Sequence, residues 1–93
     1  MRELRYVFDS AKDALNLAKH GISLALSEVL FRGPHVSVAD DRFDYGESRR
    51  LAFGFINDRL FACVYVDRNG ERRLISLRKA NSREAKRYGQ TIK

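Results

Sequence analysis

Apolar residues in the first third of the chain follow a short continuous run and then helical spacing. The run over residues 5–8 predicts a strand. Asp9 follows as an expected helix N-cap, and alanines and leucines then recur at near-helical intervals as far as His20. Gly21 suits the left-handed backbone that ends many helices. A second helix is predicted over residues 23–31.

The second half of the chain has the pattern of an antiparallel meander. Three apolar segments separated by short polar turns predict its strands, over residues 50–56, 60–66 and 72–78. Asn69-Gly70 favours a type I′ turn between the last two, and a further short strand is predicted over 36–39. Asn81 and Glu84 have the spacing of a capping box, which predicts a last helix through about Gln90. Helices segregated from an antiparallel meander indicate the α+β class.

Composition limits the chain to an ordinary small globular domain. Its 93 residues are 44% hydrophobic and 32% charged, and we expect one domain over residues 1–93. It contains no apolar run of the ~20 residues that a bilayer span needs, and no apolar segment typical of a secretion signal. The single cysteine, Cys63, has no partner for an internal disulfide and is expected in the core. These features predict a cytoplasmic protein without a membrane association.

The net charge of +6 is concentrated near the C-terminus. Residues 68–93 contain nine Lys or Arg and two acidic residues, whereas residues 1–67 contain nine basic and ten acidic residues. A one-sided cationic surface attracts polyanions. The charge therefore predicts a nucleic acid or an acidic protein as partner, with a merely solvated basic helix as the alternative.

The last predicted strand carries polar residues that are candidates for a site. Alternation places Ile75 and Leu77 on one face of the sheet. Leu74, Ser76 and Arg78 are then expected on the other face, which a two-layer domain leaves partly open beside the basic last helix. The alternative is a surface serine and an arginine whose charged end only reaches solvent.

Three blocks of residues, in order along nearly the whole chain, are similar to motifs of the BrnT toxin family. They are Phe8-Asp9 with Lys12, Asn16 and Lys19-His20-Gly21-Ile22-Ser23; Gly46-Glu47-Ser48-Arg49 with Gly54; and Ile75-Ser76-Leu77-Arg78-Lys79-Ala80 with Glu84 and Tyr88. The chain departs from the family at Phe8, where Trp is frequent, and at Leu77, where Ala is frequent. The resemblance implies a RelE-like two-layer fold with an N-terminal strand, two helices, a three- or four-stranded meander and a C-terminal helix.

The resemblance also implies a function. Toxins of this kind belong to type II toxin–antitoxin systems, cleave RNA and thereby inhibit translation. The implied partners are RNA and a BrnA-like ribbon-helix-helix antitoxin, which as a dimer would form a heterotetramer with two toxin chains.

Metal-independent RNA cleavage requires cations that stabilise charge on the phosphorane, and no cofactor. Arginine suits this task because its planar fork matches two phosphate oxygens and stays charged. Arg49 and Arg78 are predicted for this role, since each lies in a block that resembles the family. Contacts to the RNA backbone are predicted for Lys19, Lys79, Arg83 and Arg87.

Proton transfer has several candidates. His20 has a suitable unperturbed pKa, which the C-terminus of a helix is expected to raise; the alternative is a purely structural role there. Glu47 is either a base or the partner of an arginine. Tyr65 and Tyr88 either stack on bases or lie in the core. Ser76 is a candidate for a hydrogen bond to phosphate.

Other chemistries have little support. Asp40, Asp41, Asp44 and Glu47 form an acidic cluster whose spacing matches no calcium-binding loop, and no zinc-like spacing is present. No Gly-rich phosphate loop or catalytic triad can be assembled. Two non-enzymatic interpretations stay open: a nucleic-acid-binding module without chemistry, and a module that only binds an acidic antitoxin.

Overall fold

The computed structural model describes residues 4–42 and 46–92. The elements follow one another as predicted, with small shifts at their ends. They are β1 (Arg5–Val7), α1 (Ser10–His20), a 3₁₀ turn (Leu24–Leu26), α2 (Ser27–Arg32), β2 (His35–Ala39), β3 (Arg50–Ile56), β4 (Arg59–Arg68), β5 (Glu71–Lys79) and α3 (Ser82–Ile92). The predicted α+β class is confirmed.

The strands form one sheet in the order β1-β5-β4-β3-β2. From β2 to β5 each strand is antiparallel to the one that follows it, which confirms the meander. β1 joins it in parallel, with Arg5 opposite Glu71 and Val7 opposite Arg73. The first strand, β1, and the last helix, α3, are therefore both connected to β5. β1 pairs with it, and α3 follows it directly in the sequence.

Capping residues set the ends of α1. The Asp9 carboxylate accepts a hydrogen bond from the amide of Ala11 at 2.7 Å, and Gly21 has the left-handed φ of 73° expected after a helix. The predicted second helix is divided into the 3₁₀ turn and the short α2. Here the Asp13 carboxylate accepts from the Leu24 amide at 2.6 Å and from the Ser23 hydroxyl, which ties the turn to α1.

Two tight turns connect the meander. Asn69 and Gly70 have φ values of 55° and 78°, so both central residues are left-handed, as a type I′ turn requires. Asn57 and Asp58, with φ values of 50° and 64°, make a similar turn between β3 and β4. Asn and Asp tolerate this backbone better than other non-glycine residues do, which explains the choice of residues.

Helices pack on both faces of the sheet. On one face α1, the 3₁₀ turn and α2 cover a core that contains Leu24, Leu30, Phe31, Ala52, Ile56, Phe61, Cys63, Tyr65, Leu74 and Leu77. On the other face α3 contributes Tyr88 and Ile92 to a second core, and the Tyr88 ring stacks on Phe53 at 4.2 Å. The core position predicted for Cys63 is confirmed, and burial raises the pKa of its thiol to about 12.

A β-bulge in β5 changes the predicted alternation. Ser76 lies opposite Val64, but Leu74 lies opposite Tyr65, so Ile75 is an extra residue. The prediction that Leu74 faces away from Leu77 was therefore wrong, since both lie in the core beneath α1 and α2. Ile75 packs in the second core instead.

Candidate functional site

Asn16 attaches α1 to β5 where the sheet would otherwise have an unpaired edge. β1 pairs with β5 only as far as Arg73. Beyond it, the Asn16 side-chain amide donates to the carbonyl of Leu77 at 2.9 Å and accepts from the Leu77 amide at 3.0 Å. It also donates to the Ile22 carbonyl at 2.9 Å. Asn16 thus takes the place of a neighbouring strand and fixes the end of α1 beside the residues that flank Leu77.

This attachment brings several predicted site residues together. A shallow cleft of about 170 Å³ lies between α1 and β5. Its lining consists of Lys12, Leu15, Asn16, Lys19 and His20 from α1, with Ile75 and Ser76 from β5. Lys19, His20 and Ser76, predicted from separate segments of the sequence, therefore share one site.

The His20 imidazole is in a cationic environment. Partial burial lowers its pKa below the usual value, and the charges of Lys19 and Arg78 lower it further. The expected upward shift from the helix C-terminus was wrong, because burial and two neighbouring cations oppose it. A lowered pKa keeps the imidazole neutral at pH 7, which is the form that can accept a proton.

Arg78 is held by Glu84 at the start of α3. Its guanidinium donates to both carboxylate oxygens, at 2.8 and 3.0 Å. Glu84 and Asn81 also exchange two backbone-to-side-chain hydrogen bonds, both of 2.9 Å, which is the capping box expected from the sequence. The bond from Arg78 is the largest of the causes that lower the pKa of Glu84. A charged fork is therefore kept in a fixed position next to the cleft.

Arg49 and Glu47 lie elsewhere on the sheet. Arg49 Nε donates to a Glu47 carboxylate oxygen at 3.0 Å, so these two residues pair with each other. Arg49 precedes β3, and the strand register places it two strands and four residues from Arg78. That offset is about 16 Å between Cα atoms, at ~4.8 Å per strand and ~3.3 Å per residue. The structure therefore does not bring the two arginines to one point.

An ion pair whose carboxylate is buried lies near Arg49. The Asp40 side chain is 1% exposed and accepts from Arg42 at 2.7 and 3.0 Å. The hydrogen bond from Arg42 lowers the pKa of Asp40, although burial opposes the shift. Asp40, a member of the predicted acidic cluster, is therefore engaged by an arginine, and Asp44 lies outside the described residues. Within 4–42 and 46–92 no three His, Cys, Asp or Glu side chains are grouped as a metal would require.

The two tyrosines differ in position. Tyr65 is 3% exposed and its ring meets Phe31 edge-on at 5.1 Å, while the Arg72 guanidinium covers it at 4.4 Å. The structure thus supports the core alternative for Tyr65, which offers no ring face to a base. Tyr88 is half-buried between Phe53 and Arg87.

The remaining basic candidates lie on the surface. Lys79, Arg83 and Arg87 are exposed at the end of β5 and along α3. They extend the cationic surface from the cleft onto the last helix. No helix in the described part of the chain is long and apolar enough to cross a membrane.

The fold and this surface define a small basic α+β domain with a cationic cleft at a sheet edge. A family model described as "Ribonuclease toxin, BrnT, of type II toxin-antitoxin system" matches residues 8–84. The chain therefore belongs to the BrnT family of ribonuclease toxins, which confirms the resemblance found in its sequence. Membership implies an RNA substrate and an antitoxin partner. No match was found among curated proteins.

Proposed function

We propose that this toxin cleaves RNA without a metal ion at the edge of β5, with His20 and Arg78 as its principal catalytic residues. The observation that carries the proposal is the position of His20. Its imidazole lies in a cleft with Ser76 and close enough to Arg78 for that charge to lower its pKa. A neutral base and a phosphate-binding fork are the two groups that this reaction needs most.

The reaction follows from these groups. Neutral His20 takes the proton of a ribose 2′-hydroxyl, and the 2′-oxygen attacks the adjacent phosphorus. Arg78 exchanges the carboxylate of Glu84 for two phosphate oxygens, and the Ser76 hydroxyl donates to the same phosphate. The bond between phosphorus and the 5′-oxygen breaks, and that oxygen takes a proton from water. The imidazolium of His20 then returns its proton to the hydroxide, which restores the neutral base. The products carry a 2′,3′-cyclic phosphate and a 5′-hydroxyl.

The other cations are assigned to binding. Lys19, Lys79, Arg83 and Arg87 would contact backbone phosphates, and Arg49 would contact a phosphate further along the strand, because it lies far from Arg78. Glu47 would position Arg49 by the pairing described above. Tyr88 would contact a base only at the exposed side of its ring.

We further propose a ribbon-helix-helix antitoxin that forms a heterotetramer with two toxin chains in the cytoplasm. Type II membership supports a protein antitoxin. The cationic surface on β5 and α3 supports an acidic segment in that partner, since charge complementarity speeds association and selects partners.

Single substitutions test the site. Arg78→Ala and His20→Ala should each lower kcat for a defined RNA by about 10²-fold or more, as loss of a charge-stabilising donor or of a base commonly does. Arg59→Gln is the control: it also removes one positive charge, but at an exposed position away from the cleft, and it should retain activity. If Arg78→Ala and His20→Ala cleave as fast as Arg59→Gln, the proposed site is wrong.

A binding module without chemistry is the second candidate. The fork of Arg78 is already satisfied by Glu84, as in a purely structural ion pair. In that case the purified chain would bind RNA but leave it intact, and Arg78→Ala would lower stability and binding together.

A further inference from the structure

The cleft between α1 and β5 has a cation at each end. Lys12, Asn16 and Lys19 follow one another at intervals of four and three residues, so they lie on one side of α1. The two lysines are about 10 Å apart along the axis, at ~1.5 Å per residue. Asn16 between them is held on Leu77, and Ser76 lies across the cleft.

The lining of the cleft is cationic. None of the described residues that line it is acidic. The nearby carboxylates are engaged elsewhere: Asp13 accepts from Ser23 and Leu24, Asp9 caps α1, and Glu84 holds Arg78. The lowered pKa of His20 agrees with this excess of positive charge.

The cleft also has apolar surface. Leu15 on its rim is 70% exposed, and half-buried Ile75 forms part of the opposite wall. Exposed leucine is costly beside water and suits contact with the carbon face of a sugar. An anion that also presents apolar surface fits this lining better than a bare inorganic ion does.

We infer that this cleft is a subsite for a phosphodiester of the RNA chain, in which Lys12 and Lys19 bind the phosphate oxygens and Leu15 contacts the adjoining ribose. Its ligand rests on the proposed function, because it is the nucleotide next to the one that reacts at His20 and Arg78. Lys12 is the residue newly assigned, and it acts in binding and not in bond breaking.

The two histidines allow a direct test by NMR titration. Inorganic phosphate should raise the pKa of His20, since a bound anion favours the imidazolium, and should leave the ring signals of exposed His35 on β2 in place. In Lys12→Gln the phosphate concentration that gives half of the His20 response should rise about fivefold, because one phosphate contact is lost. Lys86→Gln, an equal loss of charge on the exposed surface of α3, should behave as wild type. Equal weakening by both variants would overturn the subsite.

Three ligands identify what the cleft binds: inorganic phosphate, a dinucleotide and oligoglutamate. A 2′-deoxy dinucleotide, which cannot be cleaved, should displace inorganic phosphate at an at least tenfold lower concentration. Equal affinity would identify a free-phosphate site and contradict the inference. Displacement by oligoglutamate but not by the dinucleotide would identify a protein-docking surface and would also contradict it.

Kinetics separate this inference from the proposed function. Lys12→Gln should raise KM for RNA about fivefold with kcat within a factor of about two, because it removes binding and no chemistry. Suppose that wild type cleaves RNA, that Lys12→Gln leaves KM unchanged, and that phosphate does not shift the pKa of His20. This combination would overturn the subsite but not the proposed function. A phosphate response of His20 in a chain that cleaves no RNA would overturn the proposed function and leave the anion site standing.

Discussion

Gly54 in the middle of β3 allows α2 to approach the sheet. A Cβ at this position would lie 2.8 Å from Leu30 Cγ and 3.2 Å from His35 Cβ. Leu30 is itself fully buried, so it has little room to move. The glycine in the middle block of residues thus has a packing function, which the sequence alone did not reveal.

Gly54→Ala should therefore destabilise the protein by about 1–3 kcal/mol, the usual cost of overpacking a core. Urea unfolding of the two forms measures the difference. Gly89→Ala is the control, because a Cβ there meets nothing within 4 Å and alanine favours the helix. Equal stability of Gly54→Ala and wild type would contradict the packing described here.

Because His20 acts as a base, the activity should increase with pH. Its pKa in the folded protein is lowered from 6.5, and the neutral form is the active one. The value of kcat/KM should rise with pH and reach half its maximum below pH 6.5, since this parameter reports the free enzyme. Lys19→Gln should move the midpoint upward, because it removes one cause of the lowering. A wild-type midpoint above 6.5 would contradict the assignment.

Residue types were easier to predict than their partners. Lys19, His20, Ser76 and Arg78 were recognisable as candidates because their chemistry suits RNA and because they lie in the blocks that resemble the family. Their pairings depend on tertiary contacts, such as the approach of Glu84 to Arg78, that no local pattern encodes. The aromatic character of Tyr65 indicates base stacking and core packing equally, and only its burial separates the two.

At the scale of elements, Asn16 replaces a strand that β5 lacks. One buried side chain satisfies both the amide and the carbonyl of Leu77. Without it, these two backbone groups would be buried unpaired, at a cost of about 1–3 kcal/mol for each group. Asn16 is consequently the residue that keeps His20 next to Arg78.

Asn16→Ala should lower the free energy of unfolding by about 2–6 kcal/mol, the sum for the two groups. Leu17→Ala, at a 53% exposed position of the same helix, should change it by no more than about 0.5 kcal/mol. Hydrogen exchange of the Leu77 amide, which should become much faster only in Asn16→Ala, locates the effect. If both variants unfold alike, Asn16 does not have this role.

Element bounds could be predicted because their signals are local. Asp9, Gly21, Asn69-Gly70 and the Asn81–Glu84 box all act within a few residues, and each lies where the sequence predicted. The bulge at Ile75 could not be predicted, since it depends on the register with β4. The parallel pairing of β1 with β5 and the face taken by α3 likewise depend on contacts distant in sequence.

At the scale of the whole molecule, the sheet carries two cationic regions at separate positions. Arg49 lies just before β3, whereas the cleft with His20, next to Arg78, lies at the edge of β5. The charge asymmetry of the sequence correctly indicated that β5 and α3 carry basic surface. It could not indicate that Lys12 and Lys19 of α1 join this surface, because their region is close to neutral overall.

The chemistry of the RNA ends tests the central claim most directly. A defined RNA is incubated with the purified toxin in EDTA, and the termini of the fragments are identified by mass spectrometry. We expect 2′,3′-cyclic phosphate and 5′-hydroxyl ends from wild type, and at least a 10²-fold lower rate from Arg78→Ala. Cleavage that stops in EDTA, or fragments that end in 5′-phosphate, would contradict a metal-independent reaction at His20 and Arg78.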